Sequence, residues 1–462
     1  MLVAGLPAVI GCLLAVFWMR TGRIPVSGDE PHYLIMAVSV IEDGDLRLKN
    51  NYDIECVAVE FYGCMEPHAF QFAHAWVPYH QAGLSFLIAP LYSIARVAGA
   101  RLTTVAIASL LPVFMALWLQ RHVVPRDAVL LTLAACLSVP FLFGAFTIYP
   151  DLPAGVVIFG LTGWLMDGSN RREQAAIASS LPSPSEPSSS LAGWITFWAA
   201  AGLLCWLNLK FILATTVLGL WGLIVLRPAR LSKWTPAHYA MIGVLIGPVT
   251  LAAFHHWGLG NVLGGRGRSE LTTSPARALL FFLGLHLDQG QGLFVQNPLF
   301  LAGIPALVIW ARRRPALAFL WTMLYLSLIA SNSLQMGRYG GVGPAGRYGW
   351  TAAWLWMIPI ALVAAEYAPL MRRWAGAAIV YQAVLALRWI PDPMTLYPVY
   401  EEQLGTRNSL FPVALRGWLP SFYDWSYANY LMYPPNAAGI AVIGLLLLIG
   451  WRQSRHVRPA GM

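Results

Sequence analysis

A chain of 462 residues that is 58% hydrophobic, 11% charged and carries 20 tryptophans is excluded from the ordinary soluble class. Its formal charge of +9 lies in short basic clusters between apolar runs, which speaks for orientation in a membrane and against nucleic acid as a partner. Five cysteines are too few for a disulfide scaffold, and runs such as "AGIAVIGLLLLIGW" lack the alternation of barrel strands.

In chain order, apolar runs predict helical spans near 2–19, 102–119, 128–146, 153–166, 192–208, 211–226, 239–256, 293–310, 316–331, 350–365, 375–388 and 436–451. Each approaches the length of about 20 residues that a helix needs to cross hydrocarbon. The expected class is an all-α polytopic membrane protein of about twelve transmembrane helices, one transmembrane domain over 1–462. Residues 1–19 lack the basic n-region and small-residue site of a signal peptide.

The basic clusters at 120–127, 170–174, 227–233, 312–314, 371–374 and 451–458 fall at alternate connections. By the positive-inside rule that face is cytoplasmic, with both termini on it; the pair Arg20 and Arg23, just after the first span, opposes this. The apolar stretch 83–99 would break the alternation as a span, so it is expected as an interfacial or re-entrant helix. Extracytoplasmic loops are then 20–101, 257–292, 332–349 and 389–435, whereas 170–191, with its Ser/Pro-rich "SSLPSPSEPSSS", is expected as a disordered cytoplasmic loop. Cys12, Cys136 and Cys205 read as packing residues, and Cys56 and Cys64 share a loop in which they can pair.

The outer loops hold the chemistry. "SGDEPHYL" puts Asp29 and Glu30 just past the first span. Asp29 before Glu-Pro is a good helix cap, and a capping position also fixes a carboxylate at a helix start, where it can act as a general base. "YPDLPA" places Asp151 at the mouth of the third span, where it is either a turn residue or a second acidic group over the same cleft. Lys210 stands nearly alone in an apolar stretch and either snorkels to the headgroups or meets an anion. "GRYGGVGPAGRYGW" offers Arg338 and Arg347 on a glycine-rich backbone, suited to bidentate contact with phosphate. Arg266 in "GGRGRSE" and Asp288 and Gln289 in "HLDQGQGLF" join the substrate-binding candidates. CxxC, HExxH and Walker patterns are absent. Carboxylates and cations on one extracytoplasmic face suit transfer from a donor embedded in the membrane, a sugar on a lipid phosphate. A transporter or lipid-linked-glycan flippase is the competing class, but such proteins usually place ionisable groups at mid-depth, where these spans are nearly bare.

The order of these features resembles the GT-C superfamily of membrane glycosyltransferases, in particular the polyprenyl-phosphate-sugar-dependent protein mannosyltransferase and aminoarabinose transferase branch. The matching stretches are "SGDEPHYL", "PYHQAGL", "YPDLPA", "WLNLKF", "FLGLHLDQGQGLFVQNPLFLAGIP" and "GPAGRYGW". The resemblance implies that Asp29 is the catalytic base, Glu30 completes an acidic pair, and Asp151 is the second acidic site. It further implies that Lys210 and Arg347 face the lipid phosphate, and His32, Tyr149 and His80 lie within the matching motifs as substrate-binding candidates. The implied reaction is inverting transfer from a polyprenyl-phosphate sugar to a protein, lipid or glycan, in a bacterial-type inner membrane. Some relatives use a divalent metal, for which Asp29 and Glu30 would be the ligands; no other cofactor is implied. After the twelfth span no large soluble C-terminal domain of the kind many members carry is expected, which leaves the acceptor open.

Overall fold

The computed structural model describes residues 2–24, 26–55, 67–72, 76–178, 190–226, 235–259, 274–334, 343–397, 400–401, 405–406, 410–422 and 433–455. Helix α1 (Leu6–Thr21) ends on Gly22 in the left-handed region, a common helix stop. The first outer loop then supplies α2 (Glu30–Val38), α3 (Lys49–Glu55) and a short antiparallel hairpin, β1 (Ala69–Gln71) paired with β2 (Trp76–Pro78). Next come α4 (Gly83–Leu119), α5 (Pro125–Cys136), α6 (Val139–Leu142), α7 (Asp151–Ala178), α8 (Leu191–Leu207) and α9 (Ile212–Leu226). They are followed by α10 (Pro236–Tyr239), α11 (Gly243–Leu259), α12 (Pro275–Leu287), α13 (Leu293–Gln296), α14 (Gly303–Arg313) and α15 (Pro315–Ser333). The rest is α16 (Arg347–Ala353), α17 (Met357–Ala364), α18 (Ala368–Trp389), the strands β3 (Tyr400–Glu401) and β4 (Gly405–Thr406), α19 (Val413–Arg416) and α20 (Pro434–Ser454).

This is an all-α multi-pass membrane protein. Among the described residues, seven helical segments are long and apolar enough to cross a membrane: Val3–Thr21, Gly83–Leu119, Asp151–Asn170, Leu209–Leu226, Pro236–Gly258, Pro315–Ser333 and Pro434–Ser454. α8 is a shorter apolar helix of 17 residues. Outward faces carry exposed Leu13, Leu220, Val249 and Leu445, as expected where the solvent is hydrocarbon. Inside, Trp18, Trp198, Trp321, Trp350 and Trp354 are fully buried, and close helix contact depends on missing side chains. A Cβ on Gly247 of α11 would lie 1.8 Å from the carbonyl oxygen of Gly202 on α8, so the two backbones touch.

Several expected boundaries shift for local reasons. The stretch 83–99 is the first limb of α4, which reverses at Ala95 and Arg96 (φ 52°) before continuing to Leu119. The span expected at 128–146 is broken: α5 stops at Cys136, Ser138 is extended, and Pro140 opens only the short α6. The span expected at 293–310 breaks at Asn297 (φ −145°), the residue before Pro298, as steric restriction ahead of proline favours. α7 runs on to Ala178, into the segment expected as loop (170–191); residues 179–189 lie outside the described residues. α12 occupies part of the expected loop 257–292. Cys136 and Cys205 are buried while Cys12 is exposed on α1; Cys56 and Cys64 lie outside the described residues.

For the site, three contacts matter. α2 and α7 both pack against α4, and α16 packs against α7. These bring the start of α2, the start of α7 and the start of α16 to one end of the helices.

Candidate active site

The chain turns into α2 through Gly28 (φ 61°), and Asp29 stands at the cap position. Its backbone oxygen accepts from the N–H of His32 (3.2 Å) and Tyr33 (3.3 Å), but its side chain makes no capping bond. That carboxylate is instead turned on Arg347, whose Nη1 donates to Oδ2 at 2.8 Å, while Oδ1 lies 4.0 Å from His80 Nε2. Burial raises the Asp29 pKa, but Arg347, His80 and His68 together outweigh it and hold the carboxyl well below its ordinary range. Asp29 is therefore ionised, and 24% of its side chain remains exposed to a reactant.

Glu30, one residue on, does different work. It is fully buried; Oε1 accepts from Ile148 N–H at 2.8 Å, and Oε2 accepts from Ser27 N–H at 3.2 Å and lies 3.6 Å from Arg101 Nη2. Burial pushes its pKa up, against the opposing pull of Arg101 and the two N–H groups. Both oxygens are turned into the protein, bracing α2 against α4 and the segment after α6. The acidic pair expected to share a metal thus does not converge, and Glu30 is a structural brace.

Arg347 is held with unusual care. It opens α16 just after Gly346, whose φ of 80° requires glycine. The Gly346 N–H donates to Gln291 Oε1 at 2.6 Å, and Gln296 Nε2 donates to the Ala345 carbonyl at 2.6 Å. Trp350 Nε1 donates in turn to Gln296 Oε1 at 3.1 Å. The guanidinium lies over the rings of Tyr149 (4.4 Å) and Tyr348 (5.0 Å), and its Nε is buried with no hydrogen-bond partner.

A second ion pair adjoins the first. Asp151 begins α7 and Lys210 sits in the 3-10 turn Leu209–Phe211 between α8 and α9; Nζ meets Oδ1 at 2.5 Å. Asn208 Oδ1 accepts from Lys210 N–H (3.1 Å), and Gln81 Oε1 accepts from Leu209 N–H (3.0 Å), tying that turn to the first loop. Lys210 Nζ is 5.0 Å from the centre of the Tyr348 ring, so that one ring lies close to both cations. Tyr149 locks the other side: its hydroxyl accepts from Asp29 N–H (3.2 Å) and donates to the Ser27 carbonyl (3.1 Å). Thr351 Oγ1 donates to the Asp151 carbonyl at 2.9 Å, fastening α16 to α7.

Histidines line the remaining flank. His32 Nδ1 is 2.8 Å from Tyr52 Oη, and burial together with His68 and His80 lowers its pKa to about 3, so it is neutral. His68 stacks on His32 at 3.6 Å between ring centres and places Nδ1 3.1 Å from His80 Nε2. His68 had no role in the sequence reading; its signal was the short distance to His80 across strand-like residues, since β1 and β2 bring the two histidines to the open ends of one hairpin.

Other expected ligands lie elsewhere. Asp288 is buried, with Oδ1 accepting from Gly290 N–H (2.8 Å) and Gln291 N–H (3.0 Å) and Oδ2 accepting from Phe422 N–H (2.9 Å). Gln289 donates through its N–H to the Pro420 carbonyl (2.8 Å) and through Nε2 to that of Arg416 (3.3 Å). Both organise the loop that carries Gln291. Arg266 and Arg338 lie outside the described residues.

No protein-family model matches the chain, and no curated protein matches it. Among solved structures, it is similar to ArnT from Cupriavidus metallidurans in the apo state, at 16% identity and a TM-score of 0.48, over 98% of this chain and 77% of that one. It is similar also to the same protein bound to undecaprenyl phosphate, at 14% identity and a TM-score of 0.49, over 97% of this chain and 76% of that one. At such identity and score, the chemistry of the cluster has to be read from its own residues.

Proposed function

We propose that this chain is a membrane glycosyltransferase that moves a sugar from a polyprenyl-phosphate carrier to an acceptor hydroxyl or amine of a protein, lipid or glycan. The observation that carries this is the adjacency of two carboxylate–cation pairs, Asp29–Arg347 and Asp151–Lys210, across the one ring of Tyr348. Two cations at the ends of membrane helices suit a lipid phosphate, and Arg347 Nε is a buried donor still without an acceptor.

In the resting protein Arg347 keeps Asp29 a weak base. A phosphate drawing on Arg347 and Lys210 would share that positive charge and raise the basicity of Asp29 when the donor is in place. The acceptor oxygen or nitrogen then attacks the anomeric carbon as the bond from that carbon to the phosphate oxygen breaks. The electron pair leaves on the phosphate, stabilised by Arg347 and Lys210, and the acceptor proton passes to Asp29. One displacement inverts the centre. We place the cluster on the extracytoplasmic face of a bacterial-type inner membrane, with both termini cytoplasmic, because Arg121, Arg313 and Arg372, from three of the basic clusters, lie at the opposite ends of the helices.

The test is transfer from radiolabelled polyprenyl-phosphate sugars in membranes carrying Asp29→Asn or Arg347→Ala. Loss of transfer with the protein still folded is the expected result. Undiminished transfer would remove the assignment, and movement of intact lipid-linked sugar across the bilayer without cleavage would make the chain a flippase.

A further inference from the structure

Beside the base, the cluster holds a donor set of another kind. We propose that His80 Nε2, His68 Nδ1 and Asp29 Oδ1 form a binding site for one divalent transition ion of the zinc class. The three side chains each offer an atom within 4.8 Å of the others, with His68 Nδ1 to His80 Nε2 at 3.1 Å and His80 Nε2 to Asp29 Oδ1 at 4.0 Å. Ligands about 2.0–2.1 Å from a tetrahedral zinc stand roughly 3.3 Å apart, so modest side-chain rotation closes the set. Two imidazoles and one carboxylate favour zinc and its neighbours over magnesium or calcium, which take oxygen.

The scaffold holds these donors in place. Tyr79 N–H donates to the His68 carbonyl (2.9 Å), and β1 pairs with β2 with Ala69 opposite Pro78, so His68 lies beside Tyr79, the neighbour of His80. The His68 N–H donates to Tyr52 Oη (3.1 Å), and the His32 ring is stacked on His68, which sets the plane of its imidazole. Asp29 can serve both neighbours at once, since Oδ2 is engaged by Arg347 and Oδ1 points to His80. Glu30 takes no part, its oxygens being turned onto Ile148, Ser27 and Arg101. Three protein ligands leave a fourth position open, the pattern of a catalytic and not a structural zinc. An acceptor hydroxyl at that position would lose its proton more readily. That consequence rests on the transfer reading proposed above, whereas the binding of the ion does not.

The experiment uses the full chain in detergent, stripped with chelator and freed of any tag, titrated with Zn²⁺ by calorimetry and with Co²⁺ by visible absorption. Expected are one ion per chain and the intense Co²⁺ bands of a low-coordinate site. Both should be lost in His68→Ala and His80→Ala and retained in His122→Ala, at the far end of the helices. Asp29→Asn, nearly isosteric, should bind more weakly and shift the Co²⁺ bands, which keeps the test decisive if a histidine variant fails to fold. Absence of stoichiometric binding in the native chain overturns the proposal. So does binding untouched by the His68, His80 and Asp29 substitutions, or lost equally in His122→Ala. Zn²⁺ bound without sugar transfer overturns only the transfer reading; transfer by a chain that binds no ion overturns only this one.

Discussion

Adjacent carboxylates need not share a task, and Asp29 and Glu30 divide theirs sharply. Asn at position 29 should leave the fold intact and lower transfer by roughly 10²–10⁴-fold, the usual worth of a positioned base. Ala at position 30 should instead remove the carboxylate paired with buried Arg101, itself 2% exposed, and destabilise the chain by about 3–5 kcal/mol, read as a fall in thermal midpoint. The Asp29–Arg347 pair also fixes a pH response. A carboxyl whose folded pKa is depressed adds stability above its unfolded value, about 4, and loses it only as pH falls through the lower folded value. Arg347→Gln removes the main opposing charge, so the acidic limb of the pH–stability curve should move to higher pH. An unmoved limb would show that Arg347 does not govern Asp29. The sequence singled out the doublet but was silent on its division, because the deciding partners, Ile148, Arg101 and Arg347, are distant in the chain.

At the scale of elements, the apolar runs that became α1, α7, α8, α9, α15 and α20 were legible, since span length and composition coincide there with unbroken helix. The breaks after Cys136 and at Asn297 were not, because hydropathy stays high across Pro140 and Pro298 while the backbone changes direction. The site depends on those irregular places. Arg347 reaches Asp29 because α16 starts where it does, and that start is clamped by Gln291, Gln296 and the left-handed Gly346. Gly346→Ala meets two obstacles: φ of 80° disfavours a side chain, and the new Cβ would lie 2.4 Å from Gln296 Nε2. Strained backbone of this kind costs about 1–3 kcal/mol. The expected phenotype is weakened donor binding, a raised KM for the lipid-linked sugar, together with lower stability. A normal KM would mean that the clamp does not position Arg347. The glycine-rich stretch was visible in the sequence as a close-approach backbone; its glutamine partners were not, since nothing in "HLDQGQGLF" distinguishes Gln291, which reaches the clamp, from Gln289, which braces the loop.

Across the whole molecule, the ion pairs among the described residues sort to the two ends of the helices. Asp29–Arg347, Asp151–Lys210 and Glu30–Arg101 lie at one end; Asp127–Arg372 at 2.7 Å, Asp167–Arg121 and Glu366–Arg313 lie at the other. Carriers usually keep ionisable groups near the bilayer centre, where differential hydration drives their cycle. A chemical site at one surface, fed by a lipid whose phosphate stays at that depth, asks for the arrangement seen here. Everything then depends on which surface it is. The end with Asp127 and Arg121 also holds Arg313 and Arg372 of the basic connections, so it should be cytoplasmic and the cluster should face outward. Exposed Glu42 and Arg126 mark the two ends, and each can be replaced by cysteine in a cysteine-free background. Glu42→Cys should react with a membrane-impermeant thiol reagent on intact cells, and Arg126→Cys only after permeabilisation. The reverse result would put the doublet in the cytosol, beside soluble nucleotide sugars, and a lipid-linked donor would lose its rationale.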